Sequence, residues 1–132
     1  MEYEYHFKIE GNPVSSKNEY GSAFNKKGTP FLYTRKDIKT YNRKAKFQLE
    51  AQKHKYIDRL PLSDKLWVAF LFYPENYRRD FLNLLSAPAD LLQKSGIITN
   101  DRNIRLIDGS KIVELDKENP RTEIIIKLLP ET

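Results

Sequence analysis

The chain has 132 residues, enough for one domain with one core, and 39% of them are hydrophobic, with 8 Tyr, 7 Phe and one Trp among the aromatics. It has no cysteine, which removes disulfides, thiolate zinc sites and a catalytic thiol, and no stretch approaches the roughly 20 apolar residues of a membrane span. The net charge of +5 is concentrated between Lys17 and Arg59, where 12 basic residues face 4 acidic ones; this suits a polyanionic partner, although a solvated basic helix would give the same count.

Residues 3–10, YEYHFKIE, alternate. Tyr3, Tyr5, Phe7 and Ile9 lie on one side, and Glu4, His6 and Lys8 on the other, as in a half-buried strand. The acids in this stretch are unlike a secretory signal, and a cytoplasmic protein is expected. Residues 11–30 contain Gly, Pro, Ser and Asn throughout and read as a long loop, of a length that is usually functional or disordered. Their glycines lack the spacing of a phosphate-binding loop, so no nucleotide cofactor is expected. A short extended piece, FLYT, follows.

Residues 35–58 have helical spacing through Ile38, Tyr41, Ala45, Leu49, Gln52 and Tyr56. Thr34 as N-cap and Asp37 three residues on resemble a capping box. The opposite face carries Lys36, Lys39, Arg43, Lys46 and Lys53. Residues 65–73, KLWVAFLFY, are apolar at both parities and predict a central strand covered on both sides. Residues 80–95 return to helical spacing, with Pro88 kinking or restarting the helix and Gly96 closing it. A strand is expected within 104–115, a turn at 116–122 and a last strand at 123–129, the two strands forming a hairpin. The order β, loop, α, β, α, β, β predicts an α/β (α+β) domain: one small mixed sheet with two main helices packed on it.

Two aspartates carry the chemistry. Asp80, in YRRDFLN, stands where the central strand gives way to a helix. Asp101, in TNDRNI, stands in the corner after the next apolar stretch. Singly, the first fits a helix start and the second a turn. Together they could hold a hard cation such as Mg²⁺ or Mn²⁺ through oxygen ligands, with Arg78 and Arg79 holding phosphate beside them. His6 and His54 are far apart in sequence and fit solvated roles. Glu114, Asp116, Glu118 and Glu123 read as a solvated hairpin end.

The run Arg79-Asp80-Phe81-Leu82-Asn83-Leu84-Leu85, then Asp90-Leu91-Leu92-Gln93-Lys94-Ser95-Gly96, then Asn100-Asp101, resembles the RusA-type Holliday-junction resolvases, whose pattern is R-D-x-D-N-L-x-K, then D-A-L-x-x-x-G, then D-D. Gly11, Pro13 and Val14 are similar to their opening G-x-P-V, and Tyr33, Thr34, Lys36 and Tyr41 to their Y-T-x-K-x-x-x-x-Y segment, as in many phage and prophage members. The resemblance implies a small homodimeric endodeoxyribonuclease that uses Mg²⁺ and cuts four-way junctions symmetrically in DNA recombination and repair. It also implies that Asp80 and Asp101 are the catalytic, metal-binding acids. Two cuts of like polarity call for two equivalent sites, which a closed dimer supplies.

Three positions depart from the pattern. Leu82 stands where the family has its second aspartate, Ser86 where it has its lysine, and Asn100 replaces the first acid of D-D. Three readings follow. A working nuclease would draw on Asn83, Asn100, Glu75 or Asp90 for oxygen ligands and on Lys94 for the lost cation. A branched-DNA-binding protein would no longer cut. A third use of the fold would serve a protein partner. In the DNA readings the phosphate contacts are assigned to Lys17, Lys26, Lys27, Lys36, Lys39, Arg43, Lys46, Arg78 and Arg79.

Overall fold

The computed structural model describes residues 3–15, 20–78 and 80–130. The first strand, β1 (Glu4–Glu10), alternates as its sequence predicts, with Tyr5, Phe7 and Ile9 buried. Tyr3 leaves the pattern. It is exposed, and the Arg59 guanidinium lies 3.8 Å from its ring centroid.

Residues expected as loop contain a hairpin. The strands β2 (Tyr20–Phe24) and β3 (Pro30–Thr34) pair antiparallel as a separate two-stranded sheet. Gly21, Ser22 and Pro30 interrupt the alternation that marks a strand, which is why the pairing is not visible locally. Asn25 builds its turn: its Oδ1 accepts from the Lys27 and Thr29 amides, each at 2.9 Å.

Helix α1 (Lys36–Gln52) runs on into a 3-10 turn, Lys53–Tyr56. Its N-cap is Arg35, without a side-chain cap bond, so the expected Thr34 capping box does not set the helix start. Ile38, Ala45 and Leu49 are buried on the predicted face. That face also secures the free edge of β1. Gln52 Oε1 accepts from the Lys8 amide at 2.8 Å, and its Nε2 donates to the Lys8 carbonyl at 2.7 Å. Gln48 Oε1 accepts from the Glu10 amide at 2.7 Å, and the Tyr56 hydroxyl accepts from the His6 amide at 2.9 Å. Side chains at spacings of four thus take the place of a neighbouring strand, which closes an edge otherwise open to pairing with another chain.

The main sheet runs β1–β7–β4–β5, with β6 also paired to β4; β4 is Leu66–Tyr73, β5 Ile104–Leu106, β6 Lys111–Ile112 and β7 Arg121–Leu128. The expected hairpin between the last two strand regions does not form. β7 inserts between β1 and β4, antiparallel to both, while β5 and β6 pair parallel to β4. The reason is burial. In this order Phe7, Ile124 and Phe70 stand in one row across three strands, and Tyr5, Ile126 and Val68 in the next. Each such side chain contributes about 1.5–3 kcal/mol on burial. β4 is covered unequally. Leu66, Val68, Phe70 and Phe72 are fully buried beneath the helices, while Trp67, Leu71 and Tyr73 on the other face are half-buried. The segment before β6 borders this strand: the Phe70 amide donates to Ser110 Oγ at 3.0 Å in the sheet plane, and a side chain at Gly109 would meet the Trp67 ring on the second face at 3.6 Å.

The helical stretch after β4 is two helices, α2 (Phe81–Leu84) and α3 (Ser86–Lys94), divided at Leu85. Pro88 lies inside the first turn of α3, where its missing amide costs no intrahelical bond. Gly96, at φ +79°, closes α3 in a conformation that other residues rarely adopt.

Candidate functional site

Beyond the C-terminal end of β4 the chain meets the start of α1. Asn12 Oδ1 accepts from the Glu75 amide at 2.9 Å, and Asn76 Oδ1 accepts from the Arg78 amide at 3.0 Å. Asn12, Arg35, Asp37, Ile38, Glu75, Asn76 and Arg78 together line a polar cavity of about 380 Å³. Arg35 Nε pairs with Asp37 Oδ1 at 3.5 Å across its rim. Asn12 sits inside the Gly-x-Pro-Val stretch, which packs against α1: a side chain at Gly11 would meet the Tyr41 ring at 3.5 Å. Burial pushes the Tyr41 phenol up to about 12, with the neighbouring Thr122 hydroxyl acting in the opposite direction.

Asp80 follows two residues after this cavity's last member, at the N-cap position of α2 with extended backbone, φ −69° and ψ 137°. Its carboxylate makes no cap bond to the helix. It accepts a long hydrogen bond, 3.4 Å, from Asn83 Nδ2. The side chain is exposed. Leu82, between these two, is 77% exposed, so an apolar side chain points to water where the resemblance expects an acid.

Asp101 opens a 3-10 turn, Asp101–Asn103, that feeds β5. Its amide donates to Gln93 Oε1 at 2.9 Å, which ties the turn to the end of α3, and Asn100 Oδ1 caps the turn by accepting from the Arg102 amide at 2.9 Å. Ile104, three residues on, pairs with Leu66 at the N-terminal end of β4, whereas Asp80 follows that strand's C-terminal end. The two acids therefore reach the surface from opposite ends of β4. Among the described residues, no group of three His, Asp or Glu comes together as a metal holder.

The auxiliary candidates divide in the same way. Glu75 belongs to the polar cavity with Arg78. Asp90 Oδ2 is paired with Lys94 Nζ at 2.8 Å, one helical turn apart. Lys36, Lys39, Arg43 and Lys46 are exposed along α1, and Lys26 and Lys27 are exposed at the hairpin turn. Lys17 and Arg79 lie outside the described residues. The histidines are solvated as expected, His6 Nε2 lying 3.0 Å from Glu4 Oε1. That contact, with Lys127 adding to it, holds the Glu4 carboxyl below its ordinary range. Asp116 and Glu123 are not merely a solvated hairpin end. Both bind Arg121, at 2.8 and 2.7 Å, and the Arg121 guanidinium stacks 3.8 Å above the Tyr73 ring.

A family model described as endodeoxyribonuclease RusA matches residues 10–127, nearly the whole chain. The chain belongs to the RusA family. No curated protein gives a significant match. The RusA family is a family of Holliday-junction-resolvase-like nucleases that act on branched DNA and depend in general on a divalent metal. A hard divalent cation takes about six oxygen ligands and draws charge from carboxylates. Asp80 and Asp101 stand at opposite ends of β4 in this RusA chain, and among the described residues no three acids come together, so these residues do not fit a three-acid Mg²⁺ site.

Reading the sequence missed three contributors to this region: Asn12, Arg35 and Asn76. They come from separate segments, and only the packing of the 10–14 stretch against α1 and the 74–78 loop unites them. Asn12 had a signal, since it lies within a stretch already similar to the family's opening motif. Arg35 and Asn76 had none beyond their charge and polarity.

Proposed function

We propose that this chain acts on branched DNA of the Holliday-junction type as a structure-specific endodeoxyribonuclease in recombination and repair, with Asp80 as its reactive acid and two chains forming a homodimer. The observation that carries this is the position of Asp80. It is an exposed carboxylate without a cap bond, two residues along the chain from Arg78, which lines the polar cavity together with Arg35. A helix-start aspartate serving only structure would be bonded to the amides of α2. The two guanidiniums hold the phosphate backbone, and the exposed cations of α1 extend that contact along a DNA arm. Family membership supports the reaction class.

A second reading, binding without cutting, is favoured by one observation: Leu82 is 77% exposed where a second acid is expected. The two are separated by incubating wild-type protein and Leu82→Asp with Ser86→Lys with labelled four-way junction and linear duplex, in Mg²⁺ and in Mn²⁺. The nuclease reading expects junction cleavage by wild type and faster cleavage by the double variant. Binding of junctions with no cutting by either protein supports the second reading. Absence of any junction preference overturns both.

A further inference from the structure

The β2–β3 hairpin carries an apolar face that is left exposed among the described residues. In the register Phe24↔Pro30 and Ser22↔Leu32, paired residues share a face, so Phe24, Pro30 and Leu32 stand on one side of the ribbon. Phe24 is 74% exposed and Leu32 72%, and the ribbon is hydrogen-bonded to itself as a separate sheet. The turn at its tip is stiff. Asn25 binds the Lys27 and Thr29 amides, the Gly28 amide returns to the Asn25 carbonyl at 2.9 Å, and Gly28 stands at φ +81° with open space around it. Lys26 and Lys27 are exposed at that tip, and residues 20–34 contain no Asp or Glu.

A rigid apolar strip next to two cations suits a surface that is flat and apolar with phosphates at its border. The outer face of a base pair at a DNA branch is such a surface, and a continuous duplex presents none. Pairing the strip with a second copy of itself would bring four lysines together without a counter-charge, so charge favours the polyanion.

We propose that the hairpin is a branch-point wedge: Phe24 and Leu32 lie against base pairs unstacked at the branch while Lys26 and Lys27 hold the flanking phosphates. This rests on the branched-DNA reading above and adds to it the element that recognises the branch. Stacking on an aromatic side chain is sequence-tolerant and changes affinity by about tenfold per base. Insertion of apolar side chains between base steps is a known way for proteins to hold kinked DNA.

The test uses full-length protein in EDTA, with a four-way junction carrying 2-aminopurine at the branch and a duplex of the same arm sequence. Wild type should raise the 2-aminopurine emission and prefer the junction. Phe24→Ser with Leu32→Ser, both at exposed positions, should abolish the emission change and reduce the preference about tenfold, leaving duplex affinity unchanged. Lys26→Gln with Lys27→Gln should weaken both substrates and flatten the salt dependence. If wild type prefers the junction and the Ser variant keeps both preference and emission change, the wedge is refuted and the branched-DNA reading stands. If wild type shows no preference, both fail. If the Ser variant dissociates in sedimentation with DNA affinity intact, the face joins copies of this chain and the wedge is refuted.

Discussion

Replacing Gln48 and Gln52 of α1 with alanine tests whether the edge of β1 is held by side chains. Gln52 makes two bonds to Lys8, at 2.8 and 2.7 Å, and Gln48 makes one good bond to Glu10, at 2.7 Å, and a long one at 3.4 Å. Each bond contributes about 0.5–1.5 kcal/mol net, and because these lie at the surface, water replaces part of each, which places them at the low end. Three good bonds then give roughly 1.5–2 kcal/mol. Alanine returns a few tenths of a kcal/mol per site through helix propensity. The double variant should lose about 1–1.5 kcal/mol, a fall in melting temperature of roughly 3–8 °C for a domain of this size. Urea unfolding measures the loss, and hydrogen exchange locates it: the Lys8 and Glu10 amides should exchange faster while those of β7 do not. The exposed edge should also promote self-association. A loss under about 0.3 kcal/mol, with unchanged exchange at Lys8 and Glu10, would refute the reasoning.

Three further expectations follow from the same geometry. Tyr41 ordinarily titrates near 10 and here near 12, so above pH 10 the unfolded chain releases a proton that the folded chain retains; the stability tied to this phenol is complete below pH 10 and is lost as pH rises to about 12. Tyr41→Phe should flatten alkaline unfolding in that window, and an unchanged profile would show that Tyr41 does not govern it. Lys39→Gln with Arg43→Gln, both at exposed positions on α1, should weaken junction binding and lower the slope of log affinity against log salt by about 1.8, as two released counterions require; an unchanged slope would remove α1 from the interface. Leu82→Asp adds a charge beside Asp80 at an exposed position, so it should leave stability within about 0.5 kcal/mol of wild type by urea unfolding while increasing cleavage with Ser86→Lys.

Much of this fold is legible where the signal is local. The alternation of β1, the apolar run of β4 and the face of α1 appear in the structure almost as their spacing predicts. Pairing is less legible. EIIIKLL reads as the hairpin partner of the preceding strand, and nothing local in it marks an insertion between two distant ones. Only the burial of Ile124 and Ile126 between Phe7, Tyr5, Phe70 and Val68 decides it. The hairpin is hidden because Asn25 organises it through side-chain bonds while Gly21, Ser22 and Pro30 break the alternation. At the site, Asp80 and Asp101 stand out by type and context. Their separation by the length of β4 does not, because it depends on β5 pairing parallel to β4 from Leu66 onward.

Whether Asp80 carries the reaction is decided by comparing wild type with Asp80→Asn on a labelled four-way junction in Mg²⁺ or Mn²⁺, measuring cleavage and binding on the same substrate. Wild type should make paired, symmetric cuts and Asp80→Asn none. The variant's junction affinity should be equal to or tighter than that of wild type, since removing a carboxylate beside phosphate relieves repulsion. Cleavage by purified Asp80→Asn at the wild-type rate would contradict this role.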